Sequence, residues 1–109
     1  MDEIIQVVTT VNEKAYAEQL AGELIERGLA ACAQVGGPVE SVYRWHGKIE
    51  RQNEWKCIVK TTRGRFDDVA SAICELHPYD VPEILATPVV AGSEEYLNWV
   101  RDAVRGGAE

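Results

Sequence analysis

His77, Asp80 and Glu83 stand close together in the stretch ELHPYDVPEILATP, residues 75–88, and all three can bind a cation or move a proton. The imidazole of His77 offers a borderline nitrogen and Glu83 a hard oxygen, a mixture that suits divalent copper or zinc. Pro78 and Pro82 stiffen the loop that carries them. A closed coordination sphere needs about four ligands, so the remaining donors would come from water or a second copy of the chain. A histidine followed by proline also has a purely structural use. It closes a helix, where its ring bonds the last carbonyls or faces the negative end of the macrodipole. Both roles for His77 stay open on these residues alone.

Tyr43, Trp45 and Tyr79 are of the types that line a ligand cleft, and they would serve equally as interface packing. Lys60 can pair with an anion or with Glu83. Templates for catalysis fail. Gly36-Gly37-Pro38 is followed by no Lys-Ser/Thr at phosphate-loop spacing, and Ser41, Ser71 and Ser93 lie in no nucleophile-elbow sequence. A His77–Asp80 or His77–Glu83 acid–base pair has no identifiable nucleophile to serve, so a binding protein is expected and not an enzyme. Cys32, Cys57 and Cys74 form no CxxC pair; an odd number of widely spaced thiols fits a reducing compartment, with core packing as the ordinary use of each.

The elements that must position these residues are legible from periodicity. The 109 residues are 46% hydrophobic and 27% charged, the balance of one globular domain spanning residues 1–109. With 11 Lys+Arg against 18 Asp+Glu the net charge is -7, which repels a phosphate backbone and attracts cations, so nucleic acid is not an expected partner. The acidic start MDEIIQVV does not read as a signal peptide, and no apolar run approaches the ~20 residues of a membrane span. A cytoplasmic location follows as the expectation.

IIQVVTT, residues 4–10, reads as a strand buried on both faces. A helix capped by Asn12 carries Ala17, Leu20, Ala21 and Leu24 to Gly28. Extended structure then runs through LAACAQV and VESVYRW, broken at Gly36-Gly37-Pro38, to a tight turn at His46-Gly47. The return arm, KIERQNEWKCIVKTT, ends in a second central strand. A helix over 65–77 shows Phe66, Val69, Ala70, Ile73, Cys74 and His77 along one stripe. EILATPVVA is a fourth strand, and Ser93 caps a last helix with Leu97, Val100 and Val104 facing inward. The order β-α-β-β-α-β plus a C-terminal helix is an α+β fold of the ferredoxin-like split βαβ type. Its antiparallel sheet has the first and third strands central, and Pro38 and Pro88 fall on its edges.

The hairpin is long for such a domain. An arm over residues 48–62 extends about 50 Å at ~3.3 Å per residue, whereas a compact domain of this length is roughly 35 Å across. It must overhang unless it frays near Arg51-Gln52-Asn53, and free edges bearing Tyr43, Trp45 and Ile49 call for cover from another chain.

ERGLAACAQV, SVYRWHGKIE, VKTT, ELHPYDVPEI and EYLNW occur in an order and spacing that resembles the CutA-type divalent-cation tolerance proteins, over nearly the whole chain. The resemblance implies a homotrimer whose long hairpins pair with neighbours, and a metal-responsive role in which copper or another divalent cation binds weakly at an intersubunit cleft. By position it implies His77 and Glu83 as metal donors. Thr9 and Leu76 stand where some members proposed to bind copper have cysteine and histidine, and neither can replace those ligands. The competing expectation is a PII-like trimeric small-molecule sensor or signalling adaptor without metal function.

Overall fold

Ile4–Val11 forms β1, whose β-branched residues suit a central position. In the computed structural model, which describes residues 2–106, β1 pairs antiparallel on both sides. The other strands are β2 (Cys32–Trp45), β3 (Lys48–Thr62) and β4 (Leu85–Pro88), and the helices are α1 (Lys14–Glu26), α2 (Phe66–Leu76) and α3 (Glu94–Val104). A short 3-10 turn, Arg63–Arg65, leads into α2. The sheet order is β2-β3-β1-β4, so β1 and β3 are central and both strand prolines lie on edges, as the pattern of the chain requires.

Side chains alternate across this sheet. Ile5, Val7 and Val11 of β1 meet Cys57 and Val59 of β3 and the buried faces of α1 (Ala17, Leu20, Leu24) and α2 (Val69, Ala72, Ile73) in one core. Ile4 points the other way. Val100 and Val104 of α3 are buried outside that main cluster, and α3 packs on β1 and β3, so the last helix covers part of the second face instead of extending the first layer.

The ends of α1 and α2 differ from the sequence pattern in instructive ways. The N-cap of α1 is Glu13, without a side-chain cap bond, and Asn12 lies one residue outside. Its C-terminus closes as expected at Gly28 (φ 72), with Gly28 N–H donating to Ile25 and Leu29 N–H to Leu24. In α2 the buried stripe runs through Val69, Ala72 and Ile73, leaving Cys74 exposed on the flank. The fourth strand is only four residues, shorter than expected at both ends. Ser93 does cap α3, its side chain accepting from Tyr96 N–H.

β3 is continuous over all 15 residues, with no fray at Gln52 or Asn53. β1 pairs with it only from Trp55 to Thr62, so residues 48–54 bond β2 alone and the chain extends 45 Å along its longest axis. His46 (φ 50) and Gly47 (φ 78) both take the left-handed conformation of a two-residue turn.

Gly37 lies in the register shift between Gly36 and Val39. At φ 141 it brings β2 so close to β3 that a Cβ would lie 3.0 Å from the Glu54 carbonyl oxygen and from the Trp55 ring. Replacing Gly37 by Ala is expected to lower stability in urea titration by about 1–3 kcal/mol, from backbone strain and close contact together. Gly22, mid-helix in α1 with open space around its Cα, gives the opposite sign: Gly22→Ala is expected to gain about 0.5–1 kcal/mol.

Candidate functional site

α2 ends at Leu76 because Pro78 disfavours helical backbone at the residue before it; His77 adopts φ -78, ψ 139. That change of direction turns the His77 ring inward, where it is 8% exposed. The Tyr79 backbone N–H donates to Nδ1 at 3.1 Å. Since that amide can only donate, Nδ1 is the bare nitrogen and the proton sits on Nε2, which donates to the Thr10 carbonyl at 2.9 Å. Both ring nitrogens are therefore engaged within the chain. Burial pushes the His77 pKa below the ordinary histidine value, against the opposing pull of the Thr10 carbonyl and the Glu54 charge. The ring is neutral and pins the end of β1 to the loop after α2.

That loop places Tyr79 edge-on to His77, ring centroids 4.7 Å apart, and sends its hydroxyl beyond the end of β1 to the hairpin. Tyr79 Oη donates to Glu54 Oε2 at 2.7 Å and accepts from Gln52 Nε2 at 3.4 Å. Tyr43 Oη in turn donates to Gln52 Oε1 at 2.8 Å. Burial, with the Glu54 carboxylate beside it, raises the Tyr79 phenol well above its usual pKa. Tyr43, Gln52, Tyr79 and Glu54 thus form one chain of hydrogen bonds joining both arms of the hairpin to the loop.

The chain forms the wall of an open cleft of about 630 Å³. Ser41, Val42, Tyr43 and Trp45 with Gln52 and Glu54 make the hairpin side, Tyr79 to Val81 and Glu83 the loop side, and Thr10 lies at the end of β1. Of the residues expected at a site, Tyr43, Trp45, Tyr79 and Glu83 lie on this cleft. His77 lies beneath it, holding Tyr79. Lys60 lies elsewhere: it is opposite Cys32 and donates to Gln34 Oε1 at 2.7 Å, because it falls on the part of β3 already paired with β1. Leu76 packs against the core. Thr9 faces the core opposite Cys57, whose thiol burial pushes up to about 11. The Thr9 hydroxyl is enclosed with no hydrogen-bond partner among the described residues.

Glu54 carries the most information and was not singled out by the sequence pattern. It is 7% exposed, and no Lys, Arg or His lies within 4.0 Å of its carboxylate among the described residues. Its one signal in the sequence is an acid in the strand immediately before Trp55, at the position where β3 leaves its pairing with β1. Among the described residues, no group of three or more His, Cys, Asp or Glu side chains is placed to hold a metal ion.

The matches to known proteins cover most of the chain. A family model described as CutA1 divalent ion tolerance protein matches residues 5–103. The divalent-cation tolerance protein CutA of Thermus thermophilus is 38% identical over 102 residues, covering 94% of this chain and 97% of the relative. The chloroplastic protein CutA of Arabidopsis thaliana is 35% identical over 101 residues, 93% of this chain but 56% of that longer protein. The crystal structure of CutA1 from Oryza sativa superposes with a TM-score of 0.93 at 36% identity, covering 96% of each chain.

Two measurements test the assignment of His77. His77→Ala orphans the Thr10 carbonyl and the Tyr79 N–H, and is expected to lower stability by about 2–3 kcal/mol in urea titration. In the unfolded chain the ring binds a proton near pH 6.5, whereas the lowered folded value keeps it neutral. The unfolded state therefore holds more protons between those two values. The contribution is complete above about pH 6.5 and declines as pH falls through the unfolded value toward the folded one. His77→Gln is expected to flatten that part of the stability–pH curve; an unchanged slope in the variant counts against the neutral, doubly bonded ring.

Proposed function

The chain belongs to the CutA1 divalent ion tolerance family, and from that premise we propose that it is a cytoplasmic divalent-cation tolerance protein, a homotrimer that binds cations and has no catalytic turnover. The observation that carries the reading is the cleft beside Tyr79. It is lined by Glu54, Asp80 and Glu83 and by no lysine or arginine, so its field attracts cations. The hairpin supports the assembly. Residues 48–54 have no β1 partner, the four-residue β4 leaves the other edge short, and Trp45, Ile49 and Leu85 are all exposed large apolar side chains. Such edges find cover on identical copies.

In this reading a divalent ion binds weakly, with Glu83 as a donor and the missing ligands supplied by water or a neighbouring copy. His77 enters the coordination sphere only by giving up its bond to Thr10 or to Tyr79. An oxygen-only set suits harder ions better than copper, so copper binding in particular depends on that release. The cytoplasmic placement rests on the free cysteines. The nucleotide-sensor alternative draws no support from the cleft, where phosphates would meet carboxylates.

Titration calorimetry with copper, zinc and magnesium salts, with ADP as control, tests the site. Saturable heat with a divalent ion is expected, weakened about tenfold or more in Glu83→Gln. His77→Ala is expected to leave the affinity unchanged if His77 only holds Tyr79, and to reduce it for copper if the ring is released to the metal. Absence of saturable heat with all three ions rejects the reading, and light scattering that finds a stable dilute monomer rejects the trimer.

A further inference from the structure

We propose that the cleft beside Tyr79 receives an organic monocation, an alkylammonium or guanidinium group carried on a small molecule. This inference shares with the preceding reading only the choice of cleft, and names a different chemical class of ligand for it. Three observations converge. The volume of about 630 Å³ falls in the range of small-molecule sites and is far larger than one hydrated ion needs. The rings of Tyr43, Trp45 and Tyr79 line it, and aromatic faces attract weakly hydrated organic cations while offering nothing to a hard divalent ion. Glu54, Asp80 and Glu83 supply negative charge, yet no three metal donors converge among the described residues.

Glu54 decides between a generally acidic surface and a built site. A carboxylate buried to this degree ordinarily has a cationic partner, because an uncompensated buried charge is strongly unfavourable. Glu54 has none within 4.0 Å among the described residues. Tyr79 Oη occupies Oε2. Oε1 has no hydrogen-bond partner among the described residues and is not among the fully enclosed orphan atoms, so it keeps access to solvent on a residue that lines the cleft. The geometry is fixed beforehand: Tyr79 is held by the His77 ring through its amide, by Glu54 and by Gln52 through its hydroxyl. The neutral His77 puts no positive charge under the site. An N–H of the ligand reaches Glu54 Oε1, its charge lies against the aromatic rings, and Asp80 and Glu83 at the exposed lip steer it in.

Benzylammonium chloride titrated into the full chain, followed by the indole N–H resonance of Trp45 and by calorimetry, tests this. Saturable binding is expected with a Kd of about 1 mM or tighter. Neutral benzyl alcohol is expected to bind at least about tenfold more weakly, and Glu54→Gln, which keeps an acceptor for Tyr79, to lose about tenfold in affinity for the cation. Trp45→Leu replaces a side chain that is 57% exposed in the single chain and is expected to weaken binding with the oligomer kept, as light scattering of the variant checks. Equal affinity for the alcohol and the cation overturns the proposal, since the slot is then merely apolar. Zinc shifting the Trp45 resonance with no response to benzylammonium overturns it in favour of the metal reading, whereas benzylammonium binding without any competition from zinc keeps it and removes the metal from this cleft. No binding, together with dissociation of the oligomer in Glu54→Gln, also overturns it, because the cation is then a lysine or arginine of a second copy.

Discussion

β1 has eight residues and β3 fifteen, and this mismatch of lengths governs the rest of the structure. A sheet whose central strands differ so much cannot pair along its whole extent, so residues 39–45 of β2 and 48–54 of β3 leave the domain as a two-stranded ribbon. Such ribbons are marginal alone. Two things steady this one. The register shift at Gly37 draws β2 in against Glu54 and Trp55, and the loop after α2 reaches past the end of β1 to bond it through Tyr79. The cleft is the space left where a loop supports a ribbon from one side only.

His77 is the joint of that support. By taking one hydrogen bond from the Tyr79 amide and giving one to the Thr10 carbonyl, it satisfies two backbone groups that would otherwise be left without partners at the end of a helix and the end of a strand. The same bonds decide its chemistry. A ring with both nitrogens engaged and its pKa lowered by burial is a poor base and an unready ligand, although a histidine beside acids in a proline-stiffened loop has the composition of a metal site. The acid that matters most to the cleft comes instead from the strand opposite.

The framework of the fold was legible because its signals are local. β-branched runs, helical stripes, Gly28, His46-Gly47, Pro78 and Ser93 each dictate backbone shape within a few residues, and the two strand prolines separate edge from centre. The overhang was legible from length alone. What sequence did not disclose depends on tertiary direction. The cap of α1 moved to Glu13, and Cys74 turned outward because the core-facing stripe of α2 passes through Ala72. Lys60 fell on the paired half of β3, away from Glu83. Glu54 is not legible in the sequence because one acid in a long polar arm resembles a solvated residue until the loop carrying Tyr79 closes over it.

Electrostatics tie these observations together. The chain carries a net charge of -7, and most of that charge is solvated, where it favours solubility and little else. Glu54 differs in being buried, with Tyr79 Oη donating to its Oε2 and no cation within 4.0 Å among the described residues. His77, beneath the cleft, is held neutral by its own hydrogen bonds, and the cleft lining contains no lysine or arginine. No lysine, arginine or histidine among the described residues lies within 4.0 Å of the Glu54 carboxylate, so a counter-charge would come from outside the subunit, as an ion, an amine or the basic side chain of another copy. All three share one physical cause, a largely buried carboxylate on the cleft wall that the fold leaves without a counter-charge of its own.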